Sequence, residues 1–191
     1  MKSSDGGLRK IWRDRVVGGW HWQSVETGSI GQGVPDMNYC ALAPYTDTHE
    51  VGLKIDVPWR SIAEYGHEGW IENKWTDGWV VDLSPEQVAW ITRRVRMGGL
   101  VSVAVRRRCS AGPRRVAADE LYLFRGSHAR VARDLGLRPF SAALVAAAAD
   151  TAREALLYRG EGGPARWDWV VIRAALLRRP DPWRDELAPG G

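Results

Sequence analysis

The sequence predicts an α/β protein built on a mixed sheet, and three observations carry that expectation. Ser84-Pro85-Glu86-Gln87 opens a helix with an N-cap residue, a proline at the first helical position and a glutamine placed for a capping box. Strand-like segments flank this helix, at 69–75 and 100–105, and a strand–helix–strand unit of this kind crosses over onto a shared sheet. Beyond Arg125 the pattern turns from strands to helices.

The elements follow in order. Residues 8–17 read as a short helix with Leu8, Ile11 and Trp12 on one side, stopped by Gly18-Gly19. Residues 20–25 alternate bulky and polar side chains, as a strand does. Gly28, Gly31 and Gly33 match neither phosphate-cradling motif and do not open a helix, so they read as turn residues. Residues 34–42 form a second strand with Pro35 at its start, where a missing N–H does least harm. Residues 44–67 are polar and irregular, an insertion or an elongated hairpin, and 69–75 is a third strand rich in aromatics. In the capped helix Val88, Ile91 and Val95 recur at helical spacing until Gly98-Gly99 ends it. Residues 100–105 are an apolar strand and 121–124 a last one; helices are expected at 127–134, at 141–158 (Ala-rich) and at 165–178. The expected division is a core at 1–126, with the 44–67 insertion between its second and third strands, and a helical C-terminal extension at 127–191.

Composition excludes several classes. No segment of the 191 residues approaches the roughly 18 apolar residues that span a bilayer. The start of the chain is polar and lacks the apolar core of an export signal, so a cytoplasmic location with no membrane partner is expected. Two cysteines, Cys40 and Cys109, make no disulfide framework, and with four scattered histidines they give no zinc spacing.

The net charge of +4 conceals a division. Residues 1–90 carry 8 Lys/Arg against 13 Asp/Glu, whereas residues 91–191 carry 19 against 10. Between Glu86 and Asp119 there is no acid, yet there are eight arginines, among them Arg93, Arg94, Arg96, Arg106, Arg107 and Arg108. Two readings stay open: a solvated helix face followed by a basic loop, or the electrostatic footprint of a polyanion. Arginine in place of lysine favours phosphate, whose oxygens its planar fork binds in pairs, although a chain with only four lysines carries an arginine bias throughout.

One constellation carries chemistry. On the third strand, alternation sets Trp70, Glu72 and Lys74 on one face and Ile71, Asn73 and Trp75 on the other. A lone E-x-K is by default an exposed ion pair of little worth. Gly33-Val34-Pro35-Asp36 on the preceding strand changes that, because pairing of the two strands brings Asp36 to the same place as Glu72. Asp36 and Glu72 are hard oxygen ligands that, with a backbone carbonyl such as that of Asn73, suit Mg²⁺. A metal so held polarises a phosphodiester and acidifies a water, while Lys74 beside it orients that water and offsets charge in the transition state.

These residues resemble the PD-(D/E)XK nuclease superfamily. The resemblance rests on Gly33-Val34-Pro35-Asp36, Trp70-Ile71-Glu72-Asn73-Lys74, Ser84-Pro85-Glu86-Gln87 with Trp90, and Gly98-Gly99, preceded by the turn at Val25-Glu26-Thr27-Gly28. It covers residues 15–125 and is nearest to small phage-type nucleases grouped with Holliday-junction resolvases and VRR-type nuclease domains. It implies a core of helix, three-stranded meander, helix and strand that binds one or two Mg²⁺, with Mn²⁺ expected to substitute, and cuts DNA. By resemblance Asp36 and Glu72 are metal ligands and Lys74 the catalytic lysine. Many relatives carry a further acid on the first helix; here that helix offers only Asp14, and Glu26 is the better candidate, with an exposed turn carboxylate as the alternative. Gln87 stands either near the metal or in the capping box. The span between Asp36 and Glu72 is long for such a hairpin.

The remaining residues read as structural. The four histidines suit surface or core positions, and Trp12, Trp70, Trp75, Trp79 and Trp90 suit a core better than base stacking, with Trp59 as a stacking platform in the insertion. Trp167, Trp169 and Ile172 suit packing or a partner surface. The expectation is therefore a Mg²⁺-dependent endonuclease acting on branched DNA or ends, in DNA recombination, repair or processing. The alternative is a silent nuclease-like core that binds nucleic acid or assists DNA packaging. A homodimer stays open in either case.

Overall fold

The computed structural model describes residues 5–25, 33–42, 66–112, 115–141 and 154–177. In chain order these form α1 (Leu8–Arg15), β1 (Trp20–Ser24), β2 (Met37–Leu42), β3 (Gly66–Thr76), α2 (Pro85–Arg96), β4 (Leu100–Gly112), β5 (Arg115–Arg125), α3 (Ala129–Leu135), β6 (Leu156–Gly160) and α4 (Trp169–Leu177). Short 3₁₀ turns at Gly126–His128 and Arg138–Phe140 flank α3.

The strands make one mixed sheet in the order β1-β2-β3-β4-β5-β6. Neighbours are antiparallel except β3 and β4, which run parallel and are joined through α2. A parallel pair needs a crossover of this length, whereas an antiparallel pair can turn directly. The α/β class and the mixed sheet are as the sequence predicts.

Alternation along the strands divides the core in two. Val103 and Val105 of β4 and Tyr122 and Phe124 of β5 pack with Val88 and Ile91 of α2. Their neighbours Ala104, Leu121 and Leu123 face the other way, onto Leu8 and Trp12 of α1 and Ile172 and Leu176 of α4. Gly69 is what admits Tyr39 to this second layer. A Cβ on Gly69 would lie 2.2 Å from the tyrosine ring, which lies over the glycine and donates its hydroxyl to the Leu176 carbonyl at 2.6 Å. Among the described residues no helix is long and apolar enough to cross a membrane.

The structure corrects the sequence reading in the C-terminal half. Strands β4 and β5 extend well past 105 and start well before 121, as a long hairpin. Charged residues sustain it: Arg107 lies opposite Glu120 and Arg108 opposite Asp119 in the ladder. Arg106 and Arg107, expected to be available to a polyanion, are instead held inside the protein. Arg106 grips Asp119 through Nε at 2.8 Å and Nη2 at 2.6 Å, and Arg107 binds Glu120 at 2.7 Å with its guanidinium 3.8 Å from the centre of the Trp79 ring. Bidentate and stacked guanidinium contacts of this kind fix the side chain in place. Arg93, Arg94, Arg96 and Arg108 are exposed.

The extension is not helical throughout. Residues 156–158, expected at the end of an Ala-rich helix, belong to β6, which continues the sheet beside β5. Leu156 and Leu157 lean on opposite core layers, the alternation of a strand. Residues 154–155 of that expected helix are helical, and 142–153 lie outside the described residues, as do the turn at 28–32, Glu26, Trp59 and the insertion up to residue 65. Its last two residues, Gly66 and His67, open β3.

Candidate active site

The register of β2 against β3 sets the site. Met37 lies opposite Ile71, so one further step would set Asp36 opposite Glu72 and Pro35 opposite Asn73. Pro35 has no N–H, and the ladder stops before it. The Asn73 N–H is then accepted by Asp36 Oδ2 at 3.1 Å, a side chain completing what the backbone leaves open. Gly33 makes this approach of the chain feasible. Its φ is +89°, and a Cβ there would lie 2.5 Å from the Glu86 carbonyl in the first turn of α2.

On β3 the alternation expected from the sequence holds. Glu72 and Lys74 point to the α2 side, with Lys74 Nζ 3.0 Å from Glu72 Oε1. Asn73 points the other way, and its side-chain oxygen accepts the Trp12 indole N–H at 2.7 Å. Trp70 packs against Trp90 of α2 with the rings 5.3 Å apart in an edge-on contact, which aligns the helix over this stretch of β3.

Helix α2 brings Gln87 to Glu72 and is capped through the same side chain. Ser84 Oγ accepts the Gln87 N–H at 3.2 Å, and Gln87 Oε1 accepts the Ser84 N–H at 3.0 Å, closing the capping box. The amide nitrogen of the same side chain donates to Glu72 Oε1 at 2.6 Å. The capping box expected of Gln87 is present, and the other end of the same amide reaches Glu72.

Glu72 is 1% exposed. Burial pushes its carboxyl up to about 7, Asp36 nearby adds to the rise, and the Lys74 ammonium and the Asp36 backbone N–H pull it back. Its Oε1 takes both Lys74 and Gln87, whereas Oε2 is buried with no hydrogen-bond partner among the described residues. An open cleft beside it is lined by Gly33, Lys74, Asp82, Ser84, Glu86 and Gln87.

Two residues at the site had no signal in the sequence reading. Arg9 of α1 sets Nη2 3.1 Å from Asp36 Oδ1, and Trp12 one turn on holds Asn73. The spacing of three residues that puts both on one helix face is visible in the sequence; the strand they face is not. Asp14, the acid on this helix, is 52% exposed and pairs with Lys10, away from the carboxylates.

The donor set fits a divalent cation of the Mg²⁺ type. Asp36 and Glu72 are hard oxygen donors brought together beside Asn73, and Glu72 Oε2 is buried with no hydrogen-bond partner among the described side chains. Among the described residues no group of three or more His, Cys, Asp or Glu could hold a metal. Compared with protein-family models, with curated proteins and with solved structures, the chain matches none.

Proposed function

We propose that this chain is a Mg²⁺-dependent nuclease that hydrolyses DNA phosphodiester bonds, with Mn²⁺ able to take the place of Mg²⁺. The observation that carries this reading is the meeting of Asp36 and Glu72 beside Lys74 and Gln87, with one Glu72 oxygen buried and without a hydrogen-bond partner among the described residues. The order helix, antiparallel three-strand meander, helix, parallel strand supports it, since that is the core the PD-(D/E)XK resemblance implies.

The residues divide the work. Asp36, Glu72 and the Asn73 carbonyl would hold the cation, which supplies Lewis acidity toward the phosphodiester and an acidified water. Pro35 has no N–H to give to the Asn73 carbonyl, which favours that carbonyl as a ligand. Lys74 sits on the cleft wall, where its ammonium offsets charge gathering on a phosphate and orients a nearby water. Gln87 keeps Glu72 Oε1 in place. Glu26, outside the described residues, remains the proposed further acid. Exposed Arg93, Arg94, Arg96 and Arg108 would contact phosphates, which position DNA without specifying sequence; recognition of branches or ends follows from that, in recombination, repair or processing.

A second reading, a nucleic-acid-binding protein whose nuclease-like core is silent, draws on one observation: the Asp36 charge is already met by Arg9. One assay separates the two. Purified protein is incubated with supercoiled, linear, single-stranded and four-way-junction DNA, in Mg²⁺ or in chelator. Cleavage in Mg²⁺ alone supports the nuclease; binding without cleavage in either Mg²⁺ or Mn²⁺ supports the silent core.

A further inference from the structure

Helix α1 is fixed at its start by an acid. Asp5, 6% exposed, accepts the Gly7 N–H at 3.0 Å through Oδ1 and the Arg9 N–H at 3.1 Å through Oδ2, and its Oδ2 lies 3.7 Å from Arg9 Nε. The Arg9 side chain thus runs from one carboxylate, Asp5, to another, Asp36, 3.1 Å from Nη2. Asp36 in turn has both oxygens engaged, Oδ1 by Arg9 and Oδ2 by the Asn73 N–H.

We infer that Arg9 is the built-in competitor of the divalent cation at Asp36, a positioning residue that neutralises this carboxylate until a cation takes it over. The inference rests on the metal-binding reading proposed above. Its logic is charge. Within the described site Arg9, shared with Asp5, meets the charge of Asp36, and Lys74 meets that of Glu72. Pairing of this kind lets the half-buried Asp36 carboxylate persist beside Glu72 in the metal-free state. A divalent cation at Asp36 then binds beside a guanidinium on the same carboxylate, and like charges at that range oppose each other in a partly desolvated site. Each carboxylate oxygen has a second lone pair, so the geometry admits both partners while the charge disfavours them.

The sign of the effect separates this role from a merely structural one. A residue that only braces Asp36 would, when removed, leave the carboxylate loose and weaken cation binding. A competitor would, when removed, strengthen it.

The test is calorimetric titration of Mn²⁺ alone, with no DNA, into wild type, Arg9→Gln, Arg9→Lys, Asp36→Asn, and Arg9→Gln combined with Asp36→Asn. Arg9→Gln is expected to bind Mn²⁺ about tenfold or more tightly than wild type, and Arg9→Lys, which keeps the charge, to stay within about threefold of it. In the Asp36→Asn background the gain from Arg9→Gln should vanish, since the contested oxygen charge is gone. Thermal unfolding gives a second readout: metal-free Arg9→Gln should melt below wild type and recover in Mn²⁺. Wild type that binds Mn²⁺ together with an Arg9→Gln that binds equally or more weakly overturns the inference and leaves the nuclease reading standing. Absence of Mn²⁺ binding in every protein overturns both. If Arg9→Gln is unfolded without metal, folding on Mn²⁺ addition supports the competition, and failure to fold in saturating Mn²⁺ overturns it.

Discussion

The indole N–H of Trp12 donates to the side-chain oxygen of Asn73 at 2.7 Å, between a tryptophan that is fully buried and an asparagine that is 2% exposed. The first helix thereby grips the residue that lies between Glu72 and Lys74. The contact joins positions 61 residues apart, and it has no counterpart in local sequence signals.

Trp12→Phe tests that grip. Phenylalanine keeps an aromatic ring against Trp22 and Trp169 but removes the donor, leaving the Asn73 oxygen buried and unpaired. A buried acceptor stripped of its partner costs about 1–3 kcal/mol, and the smaller ring adds a packing loss. Urea unfolding should show a lower midpoint with an unchanged slope. A midpoint equal to that of wild type would mean the bond contributes nothing.

Glu72 gives the metal-free protein a pH dependence with a defined sign. Its carboxyl is raised by burial and by Asp36, to about 7 in the fold from 4.5. The folded state therefore favours the protonated form; the associated stability is fully present below about 4.5 and is lost as pH rises through about 7. A shift of this size corresponds to about 3 kcal/mol. In chelator, Glu72→Gln should be more stable than wild type above pH 7, and the difference should shrink toward pH 5. Lys74→Ala should move the Glu72 transition higher still, because the ammonium holds it down. Thermal melts across pH 4.5 to 8 measure both.

For the proposed reaction, Asp36→Asn and Glu72→Gln are expected to abolish cleavage while preserving the fold, since each keeps side-chain volume and removes a metal-binding charge. Lys74→Ala should leave Mg²⁺ binding nearly intact and slow cleavage by about 10²-fold or more. Single-turnover cleavage at saturating Mg²⁺ separates these roles. Both carboxamide variants cutting at the wild-type rate would remove the site from the reaction.

The arginines separate into two classes with opposite outcomes. Arg106→Met breaks a bidentate pair with Asp119 in which the guanidinium side chain is 11% exposed, and unfolding should lose on the order of 3 kcal/mol. Replacing Arg93, Arg96 and Arg108 together by serine should change stability by under about 1 kcal/mol. It should also weaken binding to duplex DNA of any sequence and flatten the log–log salt slope, by about 0.9 per lost phosphate contact. An unchanged slope would exclude these side chains from the interface.

What the sequence discloses here is what short-range chemistry decides. The start of α2 is legible because Ser84, Pro85 and Gln87 satisfy the backbone within four residues. The facing of Glu72 and Lys74 is legible because a strand alternates, and the nearness of Asp36 follows once neighbouring strands pair. Arg9 is not legible, because its partner lies 27 residues away on another element. Nor is the burial of Arg106 and Arg107: an acid-free stretch reads as a basic loop until the hairpin register delivers Asp119 and Glu120 to it from 13 residues on. β6 was obscured by the alanines before it, whose helical propensity masks a short strand, and by a register shift at Leu157 that sets Leu157 and Tyr158 on the same core layer.

Gln87 carries a consequence for which amino acids its position tolerates. A capping box accepts glutamate as readily as glutamine at this point, since only an acceptor for the Ser84 N–H is needed. The neighbour Glu72 removes that choice: glutamate would satisfy Ser84 but present a second carboxylate to Glu72 where a donor now stands 2.6 Å away. Lysine could donate but not accept, asparagine is one carbon too short, and a hydrocarbon does neither. Position 87 is thus set by two neighbours with opposite demands, and a library randomised there should be dominated by glutamine when selected above pH 7 for both a stable α2 and a held Glu72.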